Sequence, residues 1–370
     1  MEKPIDFWLR KGKAGGEPKP TESFTRQSPN MDQNIHSALT SIAASYQSQQ
    51  VVVVTAAEVY ACRPEIAALP YPVLVLPGGE ENKSLAMVQR VWDFLLEHAV
   101  TRSGLLICIG GGVLTDIGGF AASTYKRGID YVNIPTTLLA MVDASTGGKT
   151  GFNYGGLKNS IGTFCLPKQT ILCPSLLDTL PANHLLSGFA EMLKTGLLDE
   201  SLWNALLRYD IERMDVSELT PLIADCVRVK ERIVTSDPQE SGLRKALNFG
   251  HTFGHALEEI SLSDASSNGL LHGYAVLYGM IAELFLSVTL LGMPREPLQQ
   301  LTQRMLQFYG RIQCSCKDRD RLISLMRQDK KNERVGDINC TLLQAVGQPC
   351  INQIITPKQA AEAFDYLFSL

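Results

Sequence analysis

Val51-Val52-Val53-Val54-Thr55 is the segment that most restricts how this chain can fold. Five consecutive β-branched residues fit a pleated strand and crowd a helix. Apolar and polar residues do not alternate within it, so both faces of the strand must be buried. That is the pattern of a strand inside a parallel sheet covered by helices. Similar runs recur at Val73–Leu76, Leu105–Ile109, Tyr131–Ile134 and Thr170–Cys173. Between them, Ser84–His98 sets Leu85, Val88, Val91, Trp92, Leu95 and Leu96 on one helical face. Strands alternating with helices predict a parallel α/β sheet.

The texture changes after Pro174. Helical periodicity dominates at Ala182–Leu198, Ser201–Arg208, Glu218–Ser236, Lys245–Ile260, Gly273–Leu291 and Glu296–Tyr309. A boundary near 175 follows, and 370 residues suit two domains of roughly 100–200 residues each. The cleft between two such halves is the expected ligand site. Residues 1–34 are expected to form a mobile arm, with a short strand at Ile5–Leu9. The stretch 10–34 is rich in Lys, Gly, Pro, Ser, Thr and Asn and lacks apolar periodicity.

A net charge of −4 with no basic stripe argues against nucleic acid as a partner. Any anionic substrate must then be met by individually placed lysines and arginines. The nine cysteines are scattered, and Cys314-x-Cys316 lacks metal-finger spacing, so reduced thiols are expected. Met1-Glu2-Lys3-Pro4 begins no apolar signal core, and no apolar run reaches roughly 18 residues. A soluble cytoplasmic protein without a membrane partner is the expectation.

Chemistry-bearing residues concentrate between Gly110 and Asn159. Gly110-Gly111-Gly112 follows a strand and opens a helix carrying Thr115 and Asp116. Free N–H groups at such a helix end suit a pyrophosphate. A tight turn packed on a neighbour explains the glycines as well, and the G-x-G-x-x-G fingerprint is absent. Gly79–Ser84 lies beyond another strand, where Glu80 and Lys83 could meet ribose or phosphate, and where Asn82 or Ser84 could cap a helix. His251 and His255 stand at i and i+4 on one helix face, and His272 follows. Glu191 sits in an otherwise apolar helix face, where a buried carboxylate is costly unless paired or bound to metal. Two histidines and a carboxylate with an open position form a catalytic zinc pattern. The spacing suits capping or core histidines equally well. Lys149, Lys158, Asn159, Lys194, Lys230, Arg244, Lys330 and Lys331 sit beside glycines or apolar residues rather than in charge runs. Lys230 and Arg244 could hold a carboxylate, and Lys149 and Asn159 a phosphate.

Taken in order, these motifs resemble the 3-dehydroquinate synthase family of sugar phosphate cyclases. The match spans roughly 51–345. It runs through Gly78-Gly79-Glu80, Gly110-Gly111-Gly112-Val113, Tyr125-x-Arg127-Gly128, Pro135-Thr136-Thr137 and Val142-Asp143-x-Ser145-x-Gly147-Gly148-Lys149. It continues with Lys158-Asn159, Ala190-Glu191-x-x-Lys194, Gly242-Leu243-Arg244, Asn248-x-Gly250-His251-Thr252-Phe253-Gly254-His255, Leu271-His272-Gly273 and Asp329-Lys330-Lys331. The resemblance implies an α/β fold. A Rossmann-like parallel-sheet domain over 35–175 would bind NAD, and a mainly helical domain over 176–370 would bind metal and substrate.

By resemblance, Glu191, His251 and His272 would ligate Zn2+ or Co2+, leaving His255 to the substrate. Glu80, Lys83, Gly111, Gly112, Asp116, Thr136, Thr137, Lys158 and Thr179 would contact NAD. Asp143, Lys149, Asn159, Lys194, Lys230, Arg244, Asn248, His255 and one of Lys330 and Lys331 would contact substrate. Arg127 would reach into the partner's site of a homodimer. The implied reaction takes 3-deoxy-arabino-heptulosonate 7-phosphate to 3-dehydroquinate and phosphate. It would proceed by transient oxidation with NAD, phosphate elimination, re-reduction and aldol closure. A cyclase for a cyclitol or aminoglycoside ring, a metal-dependent NAD alcohol dehydrogenase and a non-catalytic binding module are the rivals. The chain departs from the family pattern where Ala56 and Ala57 follow the first strand, with Glu58 able to substitute. The segment from there to Pro77 is short, which implies a reduced helix. About four extra residues fall around Ser263–Ser267.

Overall fold

The computed structural model describes residues 30–31, 35–263, 269–328 and 336–370. The expected strand at 5–9, nearly all of the arm, most of the Ser263–Ser267 insertion and the Lys330-Lys331 pair lie outside the described residues. The chain forms two compact units. The first runs to Leu185 and takes in Asp215–Glu231, and the second comprises Leu186–Met214 and Arg232–Leu370. The chain therefore leaves the first unit ten residues beyond 175 and returns to it once.

The first unit is built on a six-stranded sheet. Its strands are β1 (Asn30–Met31), β2 (Val51–Ala56), β3 (Val73–Leu76), β4 (Leu105–Gly110), β5 (Asp130–Pro135) and β8 (Gln169–Leu172), in the order β1-β8-β5-β4-β2-β3. Every pairing is parallel. All six residues of β2 and of β4 are buried, as an unbroken apolar run demands of a strand flanked on both sides. Helix Leu85–Glu97 buries Val88, Val91, Phe94 and Leu95 in the core cluster that includes helix Gly112–Thr124. The strand order reverses between β2 and β4, and crevices at such a reversal are where open α/β sheets bind ligands. The shortened segment after β2 holds only two small helices, Ala57–Cys62 and Pro64–Ala67.

The periodicity did not reveal a second, antiparallel sheet in this unit. Strands β6 (Lys149–Tyr154) and β7 (Leu157–Phe164) form a hairpin whose turn is Gly155-Gly156, with φ of 62° and 79°. Two successive positive-φ residues are what a two-residue hairpin needs, and Gly-Gly supplies them without strain. Lys149, Lys158 and Asn159 all stand on this hairpin.

The second unit is mainly helical, with one further hairpin, β9 (Ile338–Ala345) and β10 (Gln348–Ile355). Helix His272–Leu291 is its centre and packs on helices His251–Ser263, Glu296–Arg304 and Pro357–Ser369 and on β9. It is long and apolar enough to cross a membrane, but most of it is buried inside the unit, as befits a core helix. The expected single helix Lys245–Ile260 is broken. A short 3-10 turn, Leu243–Asn248, ends at Phe249, and a new helix starts at His251. Gly250 between them has φ +80°, a conformation that helix periodicity cannot register. Its N–H donates to the buried carboxylate of Glu283 at 2.6 Å. Likewise, Glu296–Tyr309 is an α-helix only to Arg304 and finishes as a π turn.

Candidate active site

In the second unit, three residues that are far apart in sequence converge. One ligand atom each from Glu191, His251 and His272 lies within 4.8 Å of the others. Helix Ala182–Leu197, every residue of which is buried from Ser187 onward, carries Glu191 inward with its side chain fully buried. Glu191 Oε1 faces His272 Nε2 at 3.5 Å and His251 Nε2 at 3.9 Å, and Oε2 takes the Lys194 ammonium at 2.5 Å. The far nitrogens of both rings are engaged: His251 Nδ1 is 3.2 Å from the Phe249 carbonyl, and His272 Nδ1 is 3.4 Å from Glu258 Oε2. Both Nε2 atoms therefore point at one carboxylate, which is the arrangement expected of imidazole ligands oriented from behind. Burial pushes His272 down, but the carboxylates of Glu258 and Glu191 outweigh it and raise the ring to about 10. One carboxylate and two imidazoles gathered in this way form a donor set that suits a divalent ion. His255 completes a ring of imidazoles, its centroid 5.3 Å from that of His251 and 6.0 Å from that of His272.

Arg244 in the same unit is buried and donates from Nη1 to the Pro238 carbonyl at 2.6 Å. Its loop is gathered by a residue the sequence reading passed over. Asp237 accepts from Gly242 N at 2.7 Å, Ser241 N at 3.0 Å and Arg244 N at 3.1 Å. Burial opposes the Asp237 charge, but the N–H groups of Gly242, Arg244 and Ser241 outweigh it and hold the carboxyl below its ordinary value. A depressed folded pKa stabilises above the unfolded value and fades as pH falls through the folded one. The stability gap between the wild type and Asp237→Asn should thus be full at neutral pH and shrink below about pH 4. Urea titrations across that range check this, and a gap that widens on acidification would contradict it. Asn248 Nδ2 donates to Glu240 Oε1 at 2.7 Å, another acceptor that spacing did not suggest.

In the first unit, the glycine run sits at the carboxyl end of β4, beside the strand-order reversal. A Cβ on Gly111 would stand 3.1 Å from Thr137 Cγ2, and one on Gly112 would stand 3.0 Å from Ala144 Cβ. Close packing is therefore a real demand on these glycines, and the same turn leaves their N–H groups at the start of the thirteen-residue helix Gly112–Thr124. Thr136 Oγ1, at the end of β5, is buried and makes no hydrogen bond among the described residues. Lys83 Nζ meets Asp116 Oδ2 at 2.5 Å, and burial pushes Asp116 up while Lys83 opposes it. Ser84 occupies the N-cap of helix Leu85–Glu97 but makes no side-chain cap bond, and Asn82 Nδ2 donates to the Gly78 carbonyl instead. Asn153, also passed over, ties the hairpin to this loop. Its Nδ2 donates to Glu80 Oε1 at 2.8 Å, and its Oδ1 accepts from Asn159 N at 2.8 Å. Glu58 lies over Gly78, where any Cβ would collide with its carboxylate.

Lys230 pairs with Asp143, from both its carboxylate and its carbonyl, in the first unit. Asp143 belongs to the π turn Ala140–Ala144, and Lys230 to helix Val216–Ser236. Lys149, Asn159, Thr179 and Arg127 are exposed, while Lys158 is half-buried. Arg127 has φ +67° in the turn after helix Gly112–Thr124.

Comparison with known proteins places the chain in a family. A family model described as the 3-dehydroquinate synthase N-terminal region matches residues 73–187, and one for its C-terminal region matches 188–332. A 3-dehydroquinate synthase of Parabacteroides distasonis is 44% identical over 310 residues, covering 82% of this chain and 87% of the relative. Among solved structures, a 2-epi-5-epi-valiolone synthase from Streptomyces hygroscopicus subsp. jinggangensis 5008, with NAD+ and Zn2+ bound, superposes with a TM-score of 0.79. It shares 27% identity, over 95% of this chain and 99% of that one. A 2-deoxy-scyllo-inosose synthase complexed with carbaglucose-6-phosphate, NAD+ and Co2+ shares the fold, with a TM-score of 0.73 and 21% identity over 90% and 95% of the two chains. The fold, the motifs and the converging Glu191, His251 and His272 lead to one conclusion: the chain belongs to the 3-dehydroquinate synthase family.

Proposed function

We propose that this chain converts 3-deoxy-arabino-heptulosonate 7-phosphate into 3-dehydroquinate and phosphate, using NAD and a divalent metal, zinc or cobalt. The convergence of Glu191, His251 and His272 carries the reading, because these residues are separated by up to 81 positions yet bring their ligand atoms within 4.8 Å. NAD, when bound, supplies a hydride acceptor that is restored within the same turnover. The metal, when bound, supplies Lewis-acid polarisation of the reacting oxygen.

In the first unit, the Gly111 and Gly112 N–H groups meet the pyrophosphate at a helix start. The Thr136 hydroxyl gains the partner it lacks, and Thr137, Glu80, Lys83, Asp116, Lys158 and Thr179 complete the nucleotide contacts. Glu58 takes the ribose in place of the residue missing at Ala56. In the second unit, Glu191, His251 and His272 hold the metal. Arg244 fixes the substrate carboxylate by its bidentate fork, with Lys230 as a second cation. Lys149, Asn159 and Arg127 hold the phosphate until it leaves. Asp143, Lys194, Asn248, His255 and one of Lys330 and Lys331 line the remaining polar edge of the substrate. Arg127 acts in the site of a second copy, so the working enzyme is a homodimer. The nine cysteines, none of which forms a disulfide, support a reducing, cytoplasmic setting.

The deciding experiment measures phosphate release from the seven-carbon sugar acid phosphate with trace NAD and zinc, before and after chelation. One phosphate per turnover, dependence on both cofactors and no accumulating NADH are expected. Stoichiometric NADH would instead identify an alcohol dehydrogenase, and a substrate lacking the carboxylate would identify a cyclitol-type cyclase. Arg244→Ala should lower kcat/KM by about 10²–10³-fold, as expected when a buried charge partner of the substrate is removed. Circular dichroism should report an intact fold. Near-normal turnover in that variant would remove Arg244 from the substrate site.

A further inference from the structure

The metal cluster contains one ligand that packing alone does not hold. The His251 side chain is 10% exposed and braced by a backbone carbonyl, whereas that of His272 is 31% exposed. His272 is also the first residue of its helix. Its backbone is pinned next door, where Gly273 N–H donates to Ser187 Oγ at 3.0 Å, but that bond does not itself set the rotation of the imidazole. An imidazole that turns offers its two nitrogens in different places, and only one of them faces Glu191. Glu258 removes this freedom. It is seven residues beyond His251 on the same helix, two turns along the same face. Its side chain is 9% exposed, and Oε2 lies 3.4 Å from His272 Nδ1, directly behind the nitrogen that faces Glu191. A carboxylate buried to this degree needs hydrogen-bond partners, and a ring N–H is one it can take.

We infer that Glu258 is a positioning residue of the metal centre, holding His272 so that Nε2 is presented beside Glu191 and His251. The inference rests on the metal-binding reading of that trio. One helix thus provides both a ligand, His251, and the brace for another. Loss of such a brace typically weakens metal binding by about 10–100-fold.

The test compares the full chain with Glu258→Met, which fills similar space without an acceptor, and Glu258→Gln, which keeps one. Zinc affinity is measured by competition with a chromophoric chelator, and ligand geometry by the visible spectrum of the cobalt-loaded protein. Thermal melts of the metal-free proteins report folding. The expected result is a 10–100-fold loss of affinity and an altered cobalt spectrum for Glu258→Met. Glu258→Gln should fall between it and the wild type, and the metal-free melts should stay close together. Wild-type affinity and spectrum in Glu258→Met would overturn the inference. So would a Glu258→Gln as weak as Glu258→Met, since that effect would be one of charge rather than orientation. If Glu258→Met does not fold, Glu258→Asp decides: its shorter carboxylate withdraws from Nδ1, and unchanged affinity overturns the inference. A wild type that binds no zinc would sink the metal reading itself, a result distinct from all of these.

Discussion

Replacing Glu191 with glutamine should abolish zinc binding and slow phosphate release by about three orders of magnitude. That factor corresponds to roughly 4 kcal/mol of transition-state stabilisation, the scale on which a bound metal acts. Glu191 is the only carboxylate of the converging trio, and both imidazoles point at its Oε1. An amide is a poor metal ligand and carries no charge to balance a dication. The substitution acts on stability too, because Lys194 is 1% exposed with its ammonium 2.5 Å from Glu191 Oε2. Removing one member of a buried ion pair destabilises by about 3–5 kcal/mol. The double substitution Glu191→Gln with Lys194→Met separates the two effects. It should recover much of the lost stability in chemical denaturation and none of the zinc affinity. Stoichiometric zinc in Glu191→Gln would exclude Glu191 as a ligand.

A large, purely structural effect is expected at Gly279. A Cβ there would enter the backbone of the facing helix, colliding with the Gly250 carbonyl and standing 2.7 Å from Gly254 N. The facing glycines are close as well, though less so: a Cβ on Gly250 would lie 2.8 Å from the Val276 carbonyl, and one on Gly254 would lie 3.0 Å from the Ala275 carbonyl. Helices His251–Ser263 and His272–Leu291 therefore approach through glycine on both sides. Since backbone cannot move aside as a side chain can, Gly279→Ala should cost about 1–3 kcal/mol or more in denaturant titrations. The same two helices begin with His251 and His272, so the variant should also weaken zinc binding. A variant with wild-type stability and zinc affinity would show that the helices separate freely.

Much of the sheet could be read directly from the chain. The valine run at 51–54 and the apolar run at 105–109 emerge as strands of the parallel sheet, because strands buried on both faces leave an unbroken apolar signature. The run at 73–76 is also a strand, but at the sheet edge and only partly buried. The β6–β7 hairpin was not anticipated, although Tyr154-Gly155-Gly156-Leu157 is a turn signal that could have found it. The break at Gly250 was also hidden, since apolar spacing continues through it.

At the site, the chemistry-bearing residues were legible and their supports were not. Glu191, His251 and His272 stood out as a carboxylate on an apolar face and histidines clustered in a histidine-poor chain, although spacing alone suited capping or core histidines equally well. Asp237, Asn153 and Glu258 looked like ordinary polar residues, because their hydrogen-bond partners depend on distances that only folding creates.

By itself, the sequence determined which residue types are candidates for chemistry and which segments are buried, since both depend on side-chain type and local period. The tertiary structure decided which of these residues meet. Only it pairs Lys230 with Asp143, and only it sets Glu258 behind His272. The physical reason is that such pairings join residues from separate elements or successive turns. For the helices that carry His251, Glu258 and His272, the approach is settled by backbone contact at Gly250, Gly254 and Gly279, which no periodicity along the chain encodes.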